Sequence, residues 1–329
     1  MQRSLRLLAR ALPILIVSAL AACDNVQWGG AQIEIVPPPP ASDVTEIEPD
    51  EQVYTELGLP RGPVLFHVTR TEEGALLIPV AEFSGDSLRM VRRPAGVSPQ
   101  AFETRFRETV IPTGGEFRLF RRGAMVGTFI AQRPGPVTAC GVPTAYGNAT
   151  VVAAATDATE FLGFRRGLEP SVQGEFTPLQ ITGSIRTYAS IVAERLILQN
   201  GLPRPRSWQG AQRDLQPVEV MPGGHPEMAA TYLVGDSLAP GPADPQGYSV
   251  FYLADYETAR GYNPIYEEVH DYRRDGKIAL KLVDYLNWDE DEGPELLLQV
   301  FRRNGSGYAV LGQRGGAWRK EWEGAICGG

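Results

Sequence analysis

Residues 278–323 read IALKLVDYLNWDEDEGPELLLQVFRRNGSGYAVLGQRGGAWRKEWE, and this stretch decides the fold class. Four β-compatible runs, Ile278 to Tyr285, Leu296 to Phe301, Tyr308 to Gly312 and Trp318 to Glu323, are separated by an acidic segment, by Asn304-Gly305 and by Gly315-Gly316. Short apolar-rich runs joined by Asn-Gly and Gly-Gly are strong hairpin signals, because both dipeptides tolerate the positive φ that tight hairpin turns require. The stretch therefore reads as an antiparallel meander. Working outward, Ile265 to Tyr272 and the Asp275-Gly276 pair extend the same pattern upstream as one more hairpin. Near the other end, Pro63 to Thr69 and Ala75 to Phe83 flank Glu73-Gly74, and Phe117 to Phe120 and Met125 to Ala131 flank Arg122-Gly123. Two helices interrupt the strands. Ser98-Pro99 sets a cap and a first-turn proline ahead of Phe102, Phe106 and Val110. A second helix begins near Ser184, carries Ile185, Tyr188, Ile191, Val192 and Leu196 at helical spacing, and stops at Asn200-Gly201. The expected fold is mainly β with α (α+β): antiparallel hairpins and a meander with about two helices.

The first 23 residues have a different grammar. Arg3, Arg6 and Arg10 give a basic start, and Ala11 to Leu20 an apolar run too short to span a bilayer. Then comes Leu20-Ala21-Ala22-Cys23, which resembles the lipobox of bacterial lipoproteins. The resemblance implies cleavage before Cys23, acylation of its sulfur and amino terminus, and firm anchoring by two or three chains. Asp24 directly after the cysteine resembles the inner-membrane retention signal of enterobacterial lipoproteins, so the periplasmic face of the inner membrane is preferred over the outer membrane. With Cys23 taken by lipid, Cys140 and Cys327 remain as an even pair in an oxidising compartment, where disulfides persist; the alternative is two buried thiols that never meet.

Once residues 1–22 are removed as signal peptide, 28 basic residues face 39 acidic ones, a net charge near −11. Such a balance argues against nucleic acid as a partner and leaves the membrane to be reached through the lipid. Residues 23–51 read as a tether: Pro37 to Pro40 stiffen it, and Asp43 to Glu51 offer little to bury. The β-rich globular region is then 52–329, with either one core or two lobes, 52–175 and 176–329.

The acidic segment is the one local signal with chemistry in it. Asn287, Asp289, Asp291, Gly293 and Glu295 alternate along the chain, and oxygen donors at that spacing can wrap a hard cation. The segment resembles the calcium loop of FG-GAP or integrin-like repeats. That resemblance implies Ca2+ held by the Asn287, Asp289 and Asp291 side chains, the Gly293 carbonyl and the Glu295 carboxylate. The family's sixth-place glycine is Glu292 here, where a positive φ is costly. The competing reading is a solvated acidic turn. No GxSxG, HExxH, SxxK or P-loop occurs. His270-Asp271 and Ser306 are the residues from which a dispersed triad would have to be drawn. Tyr248, Tyr252, Tyr256, Tyr262, Tyr266 and Tyr272, with Trp288, Trp318 and Trp322, read either as core or as an aromatic platform. Two function classes remain: a noncatalytic envelope module that binds or scaffolds an envelope protein or glycan, and an envelope hydrolase without a familiar motif.

Overall fold

Thr71 stands opposite Gly74, so a two-residue turn joins β1 (Val64–Thr71) to β2 (Gly74–Ser84). This hairpin opens a computed structural model that describes residues 51–85, 87–171, 175–221, 225–289 and 293–328. The first helix, α1 (Glu51–Leu57), precedes it, and β3 (Ser87–Met90) pairs with the far end of β2. Arg122 at φ 50° and Gly123 at φ 74° then turn β4 (Glu116–Arg121) into β5 (Ala124–Val137), the left-handed pair that a primed turn requires. With β6 (Pro143–Val151) and β7 (Glu160–Arg165), the strand order is β1-β7-β4-β5-β6-β2-β3, and β1 also pairs with β2. That last pairing closes six antiparallel strands into a barrel and removes their free edges. Inside it Phe66, Phe117 and Phe129 are fully buried. Phe102 and Phe106 of α2 (Pro99–Thr109) pack against the same core, and the Ser98 hydroxyl caps that helix as its sequence requires.

The second half is layered. α3 (Gly183–Gln199) is capped by Thr182, whose hydroxyl accepts from the Ile185 N–H at 3.3 Å, and it ends at Asn200 and a left-handed Gly201. A short α4 (Trp208–Ala211) leads into β8 (Gln212–Val218). This strand joins β9 (Glu227–Val234), β10 (Tyr248–Glu257) and β11 (Gly261–Asp271) in an antiparallel sheet of order β11-β10-β9-β8. After a helical turn, α5 (Tyr272–Asp275), the chain forms the meander β12 (Ile278–Leu286), β13 (Glu295–Arg302), β14 (Gly305–Arg314) and β15 (Ala317–Glu323). Gly315 and Gly316, at φ 58° and 77°, make its last turn as expected.

One expected hairpin is corrected. β11 and β12 lie in different sheets, so Asp275-Gly276 is a crossover. The Asp271 carboxylate caps the Arg273 N–H, and the Tyr272 N–H bonds back to the Gly247 carbonyl. Together these wind residues 272–275 into a helical turn that redirects the chain before a hairpin can close.

The meander is buried on both faces. Leu280, Leu282, Leu296, Leu298 and Leu311 pack against Ala229, Phe251 and Leu253 of the other sheet. Val283, Leu286, Leu297 and Val310 pack against Leu65, Val80, Phe120, Leu162 and Phe164 on the outside of the barrel. This accounts for the unbroken Leu296-Leu297-Leu298, since a strand covered on both sides needs no alternation. The four-stranded partner sheet is likewise covered, its far face taking Ile185, Ala189, Val192 and Leu196 of α3. Cys140 and Cys327 form a disulfide across 187 residues, with Cα atoms 5.1 Å apart. It ties the β5–β6 connection of the barrel to the chain beyond β15. Among the described residues, no helix is long and apolar enough to cross a membrane.

Candidate functional site

Where the barrel meets the meander, apolar packing gives way to charge. His67, on β1 and 3% exposed, shares a hydrogen bond of 3.0 Å with the Tyr308 hydroxyl on β14, and its other ring nitrogen lies 3.4 Å from Glu160 of β7. The Lys281 ammonium on β12 donates to the second Glu160 oxygen at 2.5 Å. Burial works against ionisation of Glu160, but His67 and Lys281 outweigh it and hold the carboxyl down at about 2. Nearby, Arg121 of β4 pairs with the buried Asp284 of β12 at 3.2 Å and donates to the Val283 carbonyl at 2.8 Å. These side chains weld two layers.

Further along the same seam the layers part, leaving a cavity of about 650 Å³, within the range usual for small-ligand sites. Phe83 and Leu88 enter from β2 and β3, and Phe164 from β7, with Leu168, Glu169 and Pro170 following it. From the meander come Trp288 and Asp289 after β12, Glu295 at the start of β13, Val310 and Arg314 on β14, and Glu321 and Trp322 on β15. The Phe83 ring meets Trp288 edge-on at 5.9 Å and Phe164 at the same distance. Arg314 donates to Glu321 at 2.7 Å and to Asp289 at 3.2 Å, so one guanidinium bridges two carboxylates on the rim. Gly312 makes room for this bridge, because a Cβ there would lie 2.4 Å from the Glu321 carboxylate.

Behind Asp289 lies Glu295, 2% exposed, its Oε2 accepting from the Trp288 N–H at 3.1 Å. The Asp289 carboxyl lies beside that of Glu295. Burial first, and then the abutting Asp289, push Glu295 up to about 9, so its own carboxyl holds a proton at neutral pH.

Of the five residues read as calcium ligands, the fold brings Asp289 and Glu295 together. Asn287 and Gly293 lie on the same β12–β13 connection, and Asp291 is outside the described residues. Among the described residues, no three His, Cys, Asp or Glu side chains converge as a metal site. Cys23, with the stretches read as signal and tether up to residue 50, is also outside the described residues.

The dispersed triad is not assembled. His270 pairs with Glu268 at 3.0 Å, the Asp271 carboxylate holds Arg273, and the Ser306 main chain is bridged to Cys327. Burial opposes ionisation of Glu268, yet His270, Tyr266 and Lys320 together hold it down at about 2. Of the aromatic residues singled out, Tyr248 and Tyr252 are core, whereas Trp288 and Trp322 reach the cavity. Phe83, Arg314 and Glu321 were not foreseen: they come from three separate strands, and only the preference of paired strands for juxtaposed side chains links any of them beforehand. Comparison of the chain with family models, with curated proteins and with solved structures gives no match.

Proposed function

We propose that this chain is a lipid-anchored, noncatalytic binding module of the cell envelope, held through Cys23 at the periplasmic face of the inner membrane and taking a glycan segment in the seam cavity. The observation that carries the reading is one cavity lined by Trp288, Trp322 and Phe83 together with Asp289, Glu295, Glu321 and Arg314. Aromatic rings offer flat apolar faces to the C–H faces of sugar rings, and carboxylates accept from hydroxyls. Its volume of about 650 Å³ suits a short oligosaccharide end. The lipobox reading of Leu20 to Cys23 supports the anchor, and a disulfide between Cys140 and Cys327 suits an oxidising compartment.

A second reading, an envelope hydrolase, is favoured by one observation: a neutral Glu295 beside Asp289 is the pairing from which acid and base roles are drawn. One experiment separates the two. Purified protein is titrated with N-acetylglucosamine oligosaccharides by calorimetry, and the mixtures are then analysed by mass spectrometry. The binding reading expects saturable heat, lost at least tenfold in Trp288→Ala, with the oligosaccharides recovered intact. Shortened products turn the assignment to the hydrolase, and absence of binding to every envelope glycan tested overturns both. For the anchor, Cys23→Ala is expected to leave the membrane fraction, and a variant still membrane-bound refutes it.

A further inference from the structure

We infer that the domain has a second binding surface, an arginine-lined cleft beside α1 that takes the phosphate headgroups of anionic lipids and fixes which face is turned to the membrane. The inference is independent of the glycan reading and rests on the anchor reading alone. The cleft, of about 520 Å³, lies between the end of α1 and the chain following β3, with Gly58, Glu82, Arg89, Met90, Arg92 and Arg93 on its walls. Gly58, at φ 62°, keeps the two sides close, since a Cβ there would stand 2.4 Å from the Pro94 ring. A second cleft of about 530 Å³ shares Gly58, Glu82 and Arg89 with the first and adds Arg61. Glu82, the acidic residue on these walls, is 4% exposed and its charge is spent within them. Its carboxylate accepts from the Arg61 and Gly62 main-chain N–H groups at 2.5 and 2.8 Å and from the Arg89 Nε at 3.0 Å. Arg93 donates to the Val97 carbonyl at 2.6 Å, a neutral acceptor that does not offset its charge. Arg92 is exposed and has no ion-pair partner among the described residues. Two uncompensated cations thus line one cleft of a strongly acidic chain.

A guanidinium meets two phosphate oxygens at once through its fork of N–H donors. Each cation of this kind near an anionic leaflet strengthens binding several-fold. The acidic remainder of the surface is repelled by the same leaflet, so contact is favoured in one orientation, with this cleft inward. Two features assign the cleft to a lipid and not to a soluble phosphate ester. Met90 and Val91 line it and also line a smaller cavity of about 200 Å³ with Ile78, Val80 and Val142, so the arginines stand beside apolar surface, as a phosphate does in a lipid. Cys23 lies 28 residues before Glu51, a reach of at most about 100 Å, so an acyl anchor at Cys23 holds the cleft at a high effective concentration of headgroups. The contact orients a domain that is already tethered. Screened at cellular ionic strength, two arginines do not hold it at the membrane by themselves.

The test uses residues 24–329 without acyl groups and with the disulfide formed, which keeps every described residue and reports on the cleft whether or not Cys23 carries lipid. Binding is measured by flotation at low ionic strength with phosphatidylcholine vesicles, with and without phosphatidylglycerol. Glycerophosphoglycerol, the same headgroup without acyl chains, is added as a competitor at equal headgroup concentration. Vesicles containing phosphatidylglycerol are expected to bind roughly tenfold more tightly or better, with no competition from the free headgroup. The double variant Arg92→Gln, Arg93→Gln is expected to lose that preference, Arg92→Gln alone to lose several-fold, and Arg186→Gln on the exposed side of α3 to keep it whole. Equal binding to the two kinds of vesicle overturns the inference, with the glycan and anchor readings unaffected. A preference that survives the double variant, or that falls equally with Arg186→Gln, places the attraction outside the cleft and overturns it too. Full competition by glycerophosphoglycerol gives the cleft to a soluble phosphate ester and overturns the lipid.

Discussion

The two faces of the C-terminal meander are made from the same four strands and do opposite jobs. Toward the neighbouring sheet the contact is almost wholly apolar, with Leu280, Leu282, Leu298 and Leu311 against Phe251 and Leu253. Among the polar groups there, the Thr231 hydroxyl donates to the Leu280 carbonyl at 2.6 Å and the Gln216 amide to the Leu282 carbonyl at 2.8 Å, and Lys320 pairs with Glu268 at 2.9 Å. Toward the barrel the strands present Lys281, Asp284, Tyr308 and Glu295 among Val283, Leu297 and Val310. Close packing of apolar groups leaves no room for a ligand, whereas a seam carrying paired charges has to be shaped around their geometry, and here that shape opens into a cavity. The lesson is that one face of the sheet supplies stability and the other exchanges some of it for an open cavity.

The largest effect is expected on the dry face. Leu298 is fully buried, and Leu298→Ala should cost about 3–4 kcal/mol in denaturant unfolding, the usual range for a buried leucine. A loss below about 1 kcal/mol would break the comparison, showing that this face tolerates voids. Next is the charged seam. Glu160 in the folded chain lies at about 2, below the ordinary carboxylate range, so its ionised form stabilises the fold above that range. This contribution is lost as pH falls from about 4.5 toward 2. Glu160→Gln should therefore cost about 2 kcal/mol at pH 7 and much less at pH 3; a cost that does not change with pH would show that the seam is held by packing alone.

The smallest effect, and of opposite sign, is expected at the cavity. Glu295 is raised to about 9, so the stability that its protonated form brings is fully present below about pH 4.5 and is lost as pH rises toward 9. Glu295→Gln keeps the protonated shape at every pH. It should be more stable than the parent by about 1–2 kcal/mol at pH 8 and equal to it at pH 4. A variant less stable than the parent at pH 8 would place an ionised, structurally required carboxylate there.

How much of this could be read beforehand follows the range of the interactions. Arg122-Gly123 and Gly315-Gly316 are legible because a tight turn is decided by its own two residues, and both pairs take the positive φ expected of them. Asp275-Gly276 misleads for the same reason: the contact that overrides it, Tyr272 to Gly247, is 25 residues away along the chain and invisible to a local rule. β9 escapes the local rules because Glu227–Val234 is buried on both sides and shows no alternation. Barrel closure rests on β1, already joined to β2 by its turn, also meeting β7, a pairing that no turn specifies. The cavity divides likewise. Asp289 and Glu295 stand out as carboxylates in a short acidic segment, while Phe83, Arg314 and Glu321 belong to the site only because the barrel and the meander meet there.

The bond between Cys140 and Cys327 also sets an order of events in time. A chain is made from its amino end, so the barrel and its Cys140 exist as polypeptide well before residue 327. At about 5–20 residues per second, the 187 intervening residues take roughly 10–40 s to make. Until residue 327 has been made, Cys140 cannot form this bond. A chain that stops short of residue 327 never closes it, so the oxidised bond is a certificate that the meander has been made, and an unclosed thiol marks unfinished molecules for any quality-control step that reacts with free sulfur.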